Sequence, residues 1–363
     1  MSRQFLYMVS MDIKKSSYAL YRFNPSRLFY PKGGSGGRPR PDRAAAAVEA
    51  CSLPPPAMSF HPIQFKHKLG SMDLMLFGKD RNKVVCTDQT GRAVLYDDGL
   101  QAVRMLPNLK VPKWQSVPLP VGDSLFVMEA VPMNDQEKKH QSLEALMYGG
   151  SRPGLFNGED FFWHPIPPPP YVYAPGYGGN TAGIITARTV VGGSGVWISA
   201  ASFGTYCYDT VSVKWSKAGD WRLPFNGPAE YVPEYNLWFG ISDREEDGVL
   251  CASDLGAASE TQRPAVQEWE GFAAPEGVEL ESYLLHLGAA RFCVAKLYKT
   301  TWHQTGGQSC CRVHDTDTTV NLFVMFTGVE IQRRGKTGRE LQIVKHKSCS
   351  YSMGAAYVPQ ILY

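Results

Sequence analysis

The chain has 363 residues, of which 44% are hydrophobic and 20% are charged, and its formal net charge at pH 7 is +3. This composition is that of a globular protein with ample apolar material for a core. So small a net charge argues against a dedicated nucleic-acid binder, in which Lys and Arg would dominate. No run approaches the roughly 18 apolar residues of a membrane-spanning helix, so neither a membrane nor a nucleic acid is an expected partner.

Two strand candidates, FLYMVSMD and YALYRFN, stand near the start of the chain. We expect these N-terminal strands, within residues 1–30, to close the fold together with the C-terminal segment. The stretch that follows, from Pro31 to Ala57, is a mixture of Gly, Pro, Ala and Arg. Such a mixture buries too little apolar surface to offset its ordering entropy, so residues 31–57 are predicted to be a flexible low-complexity insert.

From residue 58 to residue 363 short apolar runs alternate with turns, and no convincing helical period extends over ten residues. This pattern predicts an all-β domain. The runs, in chain order, are DLMLFG, KVVCTD, RAVLYDD, AVRMLP, SLFVMEAV, LEALMYGG, FFWHPIP, GIITARTVV, GVWIS, GTYCYD, VKWSKA, NLWFGIS, GVLCASD, VQEWEG, SYLLHLG, RFCVAKLY, NLFVMFTGVEI and LQIVKHKS.

One element recurs: a strand ends in a small or aromatic residue followed by Asp, and a later strand carries Trp or another residue in its place. The three copies are Tyr96-Asp97 with Val103, Tyr208-Asp209 with Trp215, and Ser253-Asp254 with Trp269. The middle strands SLFVMEAV, VWIS, LWFGIS and FCVAKLY are alike in length and composition. Their spacing is about 40 residues in places and wider where loops intervene, which is typical of the four-stranded blades of a β-propeller. The pattern therefore predicts a kelch-like β-propeller, with six blades as our choice, five as the alternative, and a β-sandwich hairpin as the competing interpretation.

The most complete copy of this element follows Gly192 and Gly193. We expect the two glycines to let the next strand begin where neighbouring backbones pack closely. Tyr208 and Trp215 should face each other on adjacent antiparallel strands. Asp209 should cap the turn between them by accepting hydrogen bonds from backbone N–H groups two residues on.

Several stretches together carry a family resemblance: GRAVLYDDGLQAVRMLPNLKVPK, VGDSLFVMEA, PPPPYV, GTYCYDTVSVKWSKAGDWRLPFNGPAEYVPEYNLWFG, LCASDL and IVKHKSCSYSMG. From about Phe5 to the end, apart from the low-complexity insert, the chain resembles the plant family catalogued as domain of unknown function 1668. That family is a group of kelch-like proteins expanded in grasses. The resemblance implies a propeller-like fold and no catalytic activity.

The residues point to no catalytic, cofactor-binding or metal-binding site. The stretch HQTGGQSCCRVHDTDTT is read as a solvated loop, with zinc capture by His303, Cys310, Cys311 and His314 as the alternative. The eight cysteines form no C-x-x-C pair and the N-terminus lacks a signal-peptide pattern. These features favour a cytoplasmic or nuclear protein that is not secreted.

The leading functional hypothesis is therefore a non-enzymatic interaction module that engages protein partners through its loops. One alternative is an enzyme of hydrolase or lyase type with its site at the central channel. The other alternative is a sugar or small-ligand binder. In that last case we expect exposed tryptophans to contribute, and the candidates are Trp197, Trp215, Trp221 and Trp238.

Overall fold

A computed structural model describes residues 3–31, 48–64, 70–113, 115–133, 142–149, 159–244, 248–269, 277–303, 318–334, 340–353 and 357–363. It is all-β, as predicted, and within these ranges the helical segments are short 3₁₀ turns. These turns are Pro25–Leu28, Pro170–Tyr173, Thr181–Gly183 and Leu255–Ala257. In the part of the chain that is described, no helix has the length and apolarity needed to cross a membrane.

The strands that precede residue 61 are β1 (Leu6–Asp12), β2 (Ser17–Phe23), β3 (Val48–Cys51) and β4 (Met58–Phe60). Strand β3 lies inside the segment predicted to be a flexible insert, and that prediction is wrong for its four residues. They pair with a long strand near the C-terminus, and a ladder of backbone hydrogen bonds compensates for the ordering entropy. Residues 32–47 of the insert lie outside the described residues.

Sixteen strands follow among the described residues, in four consecutive four-stranded antiparallel meanders. Meander 1 is β5 (Met72–Phe77), β6 (Lys83–Asp88), β7 (Ala93–Asp97) and β8 (Ala102–Met105). Meander 2 is β9 (Ser116–Val121), β10 (Ser124–Glu129), β11 (Leu143–Gly149) and β12 (Asp160–Ile166). Meander 3 is β13 (Ile185–Val191), β14 (Gly195–Ala200), β15 (Gly204–Asp209) and β16 (Lys214–Gly219). Meander 4 is β17 (Phe225–Val232), β18 (Leu237–Ser242), β19 (Leu250–Ser253) and β20 (Val266–Trp269).

The last strands are β21 (Val278–Gly288), β22 (Arg291–His303), β23 (Thr318–Arg334), β24 (Glu340–Ser352) and β25 (Tyr357–Leu362). Strands β21 to β24 form a fifth antiparallel meander, and β3 pairs in parallel with the outer edge of β24. A further sheet has the order β25-β1-β2-β4 and so combines strands from both ends of the chain.

The chain divides into two compact units. Unit 1 comprises Met1–Gln4, His61–Trp269 and Leu362–Tyr363, and so holds meanders 1 to 4. Unit 2 comprises Phe5–Phe60 and Glu270–Ile361, and so holds the fifth meander and the sheet of the two chain ends.

Within unit 1 the first strands of the meanders lie side by side. Strand β5 contacts β9, β9 contacts β13, and β13 pairs in parallel with β17. Apolar clusters fill the space between successive meanders. Met75 and Phe77 pack with Leu125 and Trp163 between meanders 1 and 2, and similar clusters separate meanders 2 and 3 and meanders 3 and 4. Each meander between two others is therefore covered on both faces, which explains its near-continuous apolar strands.

Sequence analysis missed β9 and β17, the first strands of meanders 2 and 4, because each contains proline. Just before β9, the carbonyl of Gln115 accepts a hydrogen bond from the N–H of Ala130. Because the direction of backbone hydrogen bonds alternates along an antiparallel strand, the N–H groups at positions 117, 119 and 121 point towards β10. Pro118 and Pro120 occupy the positions between, where the missing N–H would point away from that partner. In β17, Gly227 and Pro228 lie at a break in the register with β18.

One buried ion pair fixes the connection between meanders 1 and 2. Glu144 lies on β11 and Lys113 in the link from β8 to β9, and both side chains are fully buried with Nζ and Oε1 2.5 Å apart. The Glu144 carboxylate also accepts from the backbone N–H groups of Lys110 and Val111, at 3.1 and 3.2 Å. Burial lowers the pKa of Lys113, and the carboxylate of Glu144 opposes that shift.

We expect Glu144→Ala to lower the free energy of unfolding by about 3–5 kcal/mol, because it leaves a buried ammonium without its carboxylate. Asp220→Ala is the matched control, since Asp220 pairs with Lys217 at an exposed position, and it should cost less than about 1 kcal/mol. Urea unfolding followed by tryptophan fluorescence measures both. Equal costs for the two variants would contradict a structural role for the buried pair.

Candidate functional site

The Tyr208 and Trp215 side chains meet as the sequence predicts. They are direct partners across β15 and β16, with ring centroids 5.3 Å apart. Tyr208 is buried and also packs near Phe126 of meander 2, at 6.2 Å between centroids. The aromatic pair therefore belongs to the core between meanders 2 and 3.

Asp209 caps the turn after β15, also as predicted. Its Oδ1 accepts from the backbone N–H of Val211 at 3.0 Å, and its Oδ2 accepts from the hydroxyl of Ser212 at 2.7 Å. The hydrogen bond from Ser212 is the largest cause that lowers the pKa of Asp209, followed by the one from Val211. The carboxylate stabilises the turn that brings Trp215 opposite Tyr208.

Gly192 and Gly193 occupy the turn between β13 and β14, but the expected reason for them is wrong. A side chain at either position would meet no atom within 4 Å, so no backbone packs closely there. Their φ angles of 63° and 77° explain the choice instead, because glycine adopts this left-handed conformation without a steric penalty. The two glycines make a tight hairpin turn rather than a close contact.

In the first copy of the element, Tyr96 is fully buried and lies opposite Val103. Asp97 accepts from the backbone N–H of Leu100 at 3.1 Å, and so caps its turn as Asp209 does. Val103 does not replace a packed tryptophan, because 52% of its surface is exposed. The first copy therefore has the turn capped by Asp, but no aromatic side chain packs against its tyrosine from the next strand.

In the third copy of the element, the prediction that Trp269 takes the place of Trp215 is wrong. Ser253 pairs with Val266, whereas Trp269 pairs with Leu250 at the other end of the two strands. Asp254 still accepts from the backbone N–H of Gly256 at 3.0 Å. A long connection between the two strands hid the register from sequence reasoning.

A tryptophan hydrogen bond that sequence reasoning missed recurs between successive meanders. The indole N–H of Trp163, on β12, donates at 2.8 Å to the carbonyl of Pro107, just after β8. The indole N–H of Trp215, on β16, donates at 2.8 Å to the carbonyl of Pro167, just after β12. Strands β12 and β16 thus each bind the chain just after the fourth strand of the preceding meander, and the sequence signal is Trp on one fourth strand with Pro after the previous one.

The tryptophans considered for sugar binding are engaged in internal packing instead. Trp238 is buried and its indole N–H donates to the carbonyl of Val190 at 2.8 Å. Trp221 donates to the carbonyl of Ser259 at 2.8 Å and packs 6.1 Å from Trp197. These indoles do not line either of the two cavities described next.

A cavity of about 390 Å³ lies at the ends of the first strands β9, β13 and β17 and is called the first-strand cavity. Its polar lining includes Arg81, Glu230 and the rings of Tyr231 and Tyr363. Glu230 forms an ion pair with Arg3 at 3.3 Å.

A larger groove of about 830 Å³ lies between meanders 1 and 2 and is called the β8 groove. Its apolar side consists of Phe77, Leu95, Tyr148 and Phe161, and the rings of Tyr148 and Phe161 lie 5.0 Å apart. The charged side chains around it are three basic and three acidic: Lys79, Lys83, Arg104, Asp80, Asp97 and Asp123. Asp97, from the first copy of the recurring Tyr-Asp element, is therefore part of the lining of this groove.

Two of these charges are paired. Arg104 lies 3.2 Å from Asp160 and its guanidinium stands over the ring of Phe161, at 5.6 Å from the centroid. Lys83 lies 3.7 Å from Asp97. The β8 groove therefore presents aromatic surface between balanced charges, an arrangement suited to binding and without the excess of one sign that selects a charged ligand.

The fold and these sites define an all-β protein of repeated four-stranded meanders with a groove between the first two. Residues 3–351 match the family described as protein of unknown function (DUF1668), and the chain belongs to that family. No curated protein shows significant similarity to the chain.

We expect Trp215→Ala to lower the free energy of unfolding by about 3 kcal/mol, at the low end for an aromatic residue because Trp215 is half-buried. Trp215→Phe keeps a ring and loses the hydrogen bond to Pro167, so about 1 kcal/mol is expected. Urea unfolding measures both variants.

The control for this series is Lys214→Ala, an exposed neighbour that should leave the stability almost unchanged. Asp209→Ala should fall between Lys214→Ala and Trp215→Ala. A cost for Trp215→Ala as small as that of the lysine variant would show that the Tyr208–Trp215 pair does not hold the meanders together.

Proposed function

We propose that the chain is a kelch-like β-propeller of six blades and acts as a non-catalytic module that binds a partner protein. The described residues supply five four-stranded antiparallel meanders and a further four-stranded sheet built from both chain ends. The side-by-side first strands of unit 1 support the same architecture, because blades place their first strands next to one another around an axis.

The observation that carries the binding proposal is the exposed edge of β8. All four residues of β8 are exposed, and within the described residues β8 ends the sheet of meander 1. The side chains of Leu100 and Met105 are 77% and 75% exposed, and Val103 adds a third apolar side chain. Exposed apolar side chains along an unpaired strand edge mark a surface that another chain can cover.

The hydrogen-bonding groups of β8 have a definite direction. The backbone N–H of Leu106 donates to Ala93 on β7, so the N–H groups of positions 104 and 102 also face β7. The N–H groups of Val103 and Met105 therefore point outwards, where an added strand would accept from them.

The occupant that suits this edge is an extended segment of a partner protein, with an apolar side chain at every second residue. Backbone hydrogen bonds to Val103 and Met105 would align it, and alternate side chains would face the β8 groove beside Phe161 and Tyr148. The equal numbers of acidic and basic side chains around the groove favour a segment without an excess of charge.

The test is selection of peptides from a library of random extended sequences with the full-length protein, followed by fluorescence-anisotropy measurement of the selected peptides. We expect alternating apolar sequences, and we expect Met105→Pro to weaken their binding about tenfold, since it removes an outward N–H group. Met105→Ala separates the side-chain contribution, because it keeps that N–H group.

Met133→Ala is the matched control: Met133 is also an exposed methionine, and it lies outside strand β8. Its affinity for the selected peptides should equal that of the unchanged protein. Selection of no peptide, or equal binding by Met105→Pro and the unchanged protein, would contradict the proposal. Circular dichroism and thermal unfolding check that each variant is folded.

A second candidate function is the binding of a small polar ligand in the first-strand cavity. Its volume of about 390 Å³ lies within the usual range of ligand pockets, and Arg81, Glu230 and Tyr231 supply polar groups. A thermal-shift screen with sugars and phosphorylated metabolites tests it. A ligand of this cavity should lose its effect in Tyr231→Ala and keep it in Tyr148→Ala, a tyrosine of the β8 groove.

A further inference from the structure

Three potential metal ligands come together in unit 2, although sequence analysis expected no metal site. They are Glu49 and Cys51 on β3 and Cys349 on β24. One carboxylate oxygen and the two sulfur atoms all lie within 4.8 Å of one another. The two cysteines stand at opposite ends of the sequence and outside any C-x-x-C motif, so no local spacing could reveal them.

The parallel pairing of β3 with β24 produces this cluster. Cys349 is paired with Glu49, and Tyr351 with Cys51. Residues two apart on a strand point to the same face, so Glu49 and Cys51 face the same side as Cys349. Cys349 is buried, Cys51 is half-buried and Glu49 is exposed, so the cluster lies at the surface and an ion can reach it from solvent.

The offset of the two cysteines suits a shared ion better than a disulfide. Cys51 stands two residues beyond the partner of Cys349, a distance of about 6.6 Å along the strand. A disulfide requires Cβ atoms only about 3.8 Å apart, which this register does not favour. When two sulfur atoms bind one zinc ion, each Zn–S bond is about 2.3 Å long, so the ion can link cysteines that are farther apart than a disulfide allows.

We propose that Glu49, Cys51 and Cys349 form a binding site for a thiophilic divalent cation of the zinc class. Two thiolates and one carboxylate are ligands that Zn²⁺ takes, and a water molecule would complete the tetrahedron. Both thiols give up their protons to solvent when the ion binds.

A bound ion would stabilise the attachment of β3 to its sheet. Strand β3 has four residues and, among the described strands, joins its sheet through β24 alone. An ion held by both strands would fasten this short edge strand, and with it the end of the low-complexity segment, to the fifth meander. Metal binding free energy would then add to the stability of unit 2.

The test uses the full-length protein, reduced with a phosphine and freed of metal, and titrated with Co²⁺ and then Zn²⁺. We expect one equivalent of Co²⁺ to produce a thiolate-to-cobalt charge-transfer band, and Zn²⁺ to remove it. Cys51→Ser and Cys349→Ser should each lower the intensity by about half and weaken Co²⁺ binding at least tenfold. Glu49→Gln, at an exposed position, should keep the band and weaken the affinity.

Two controls distinguish this cluster from other thiols. Cys207→Ser changes a half-buried cysteine of unit 1 and should leave the titration unchanged. The double variant Cys310→Ser/Cys311→Ser covers the alternative zinc ligands of the sequence, which lie outside the described residues, and should also leave it unchanged. A missing band, or a band of undiminished intensity and unchanged Co²⁺ affinity in both Cys51→Ser and Cys349→Ser, would overturn the proposal.

Discussion

The structure of unit 1 depends on one constraint: a four-stranded sheet with two apolar faces must be covered on both. The buried strands of meanders 2 and 3 satisfy it by packing against the meander on each side. Hydrophobic burial is not directional, so it does not by itself fix how one sheet lies on the next. The indole hydrogen bonds of Trp163 and Trp215 add that direction, because each joins one fourth strand to the chain just beyond the preceding one.

The same constraint explains where polar groups are buried. In the link from meander 1 to meander 2, the backbone N–H groups of Lys110 and Val111 lie beside β11 and need acceptors there. The Glu144 carboxylate supplies them and is neutralised by Lys113. Burying this charge is costly, and the cost is offset because one side chain satisfies three donors at once.

The two proposed sites lie on edge strands of their sheets. Strand β8 is an edge of meander 1, with four exposed residues and with outward N–H groups at Val103 and Met105. Strand β3 is an added edge in unit 2, and the cluster of Glu49, Cys51 and Cys349 stands on its pairing with β24. Binding at an edge needs no rearrangement of the core, so both functions can be added to a stable scaffold.

Sequence reasoning could predict much of the local structure, because strands and turns follow from short-range chemistry. The Tyr208–Trp215 pair and the cap by Asp209 depend only on a strand, a turn and a second strand, and they were predicted. The importance of Gly192 and Gly193 was recognised for the wrong reason. A glycine required by a positive φ in open space cannot be distinguished, in a sequence, from a glycine required by close packing. The prolines of β9 hid a strand, because only the sheet shows which positions need an N–H group.

The all-β class, the turns and the family can be predicted from the residues alone, because they rest on alternation, turn residues and local motifs. Which strands are neighbours depends on the folded chain. It paired Ser253 with Val266 instead of Trp269, left β8 at an edge, and brought Cys51 beside Cys349. The reason is physical: pairing between distant strands is selected by the burial of whole faces, and no short stretch of residues contains that information.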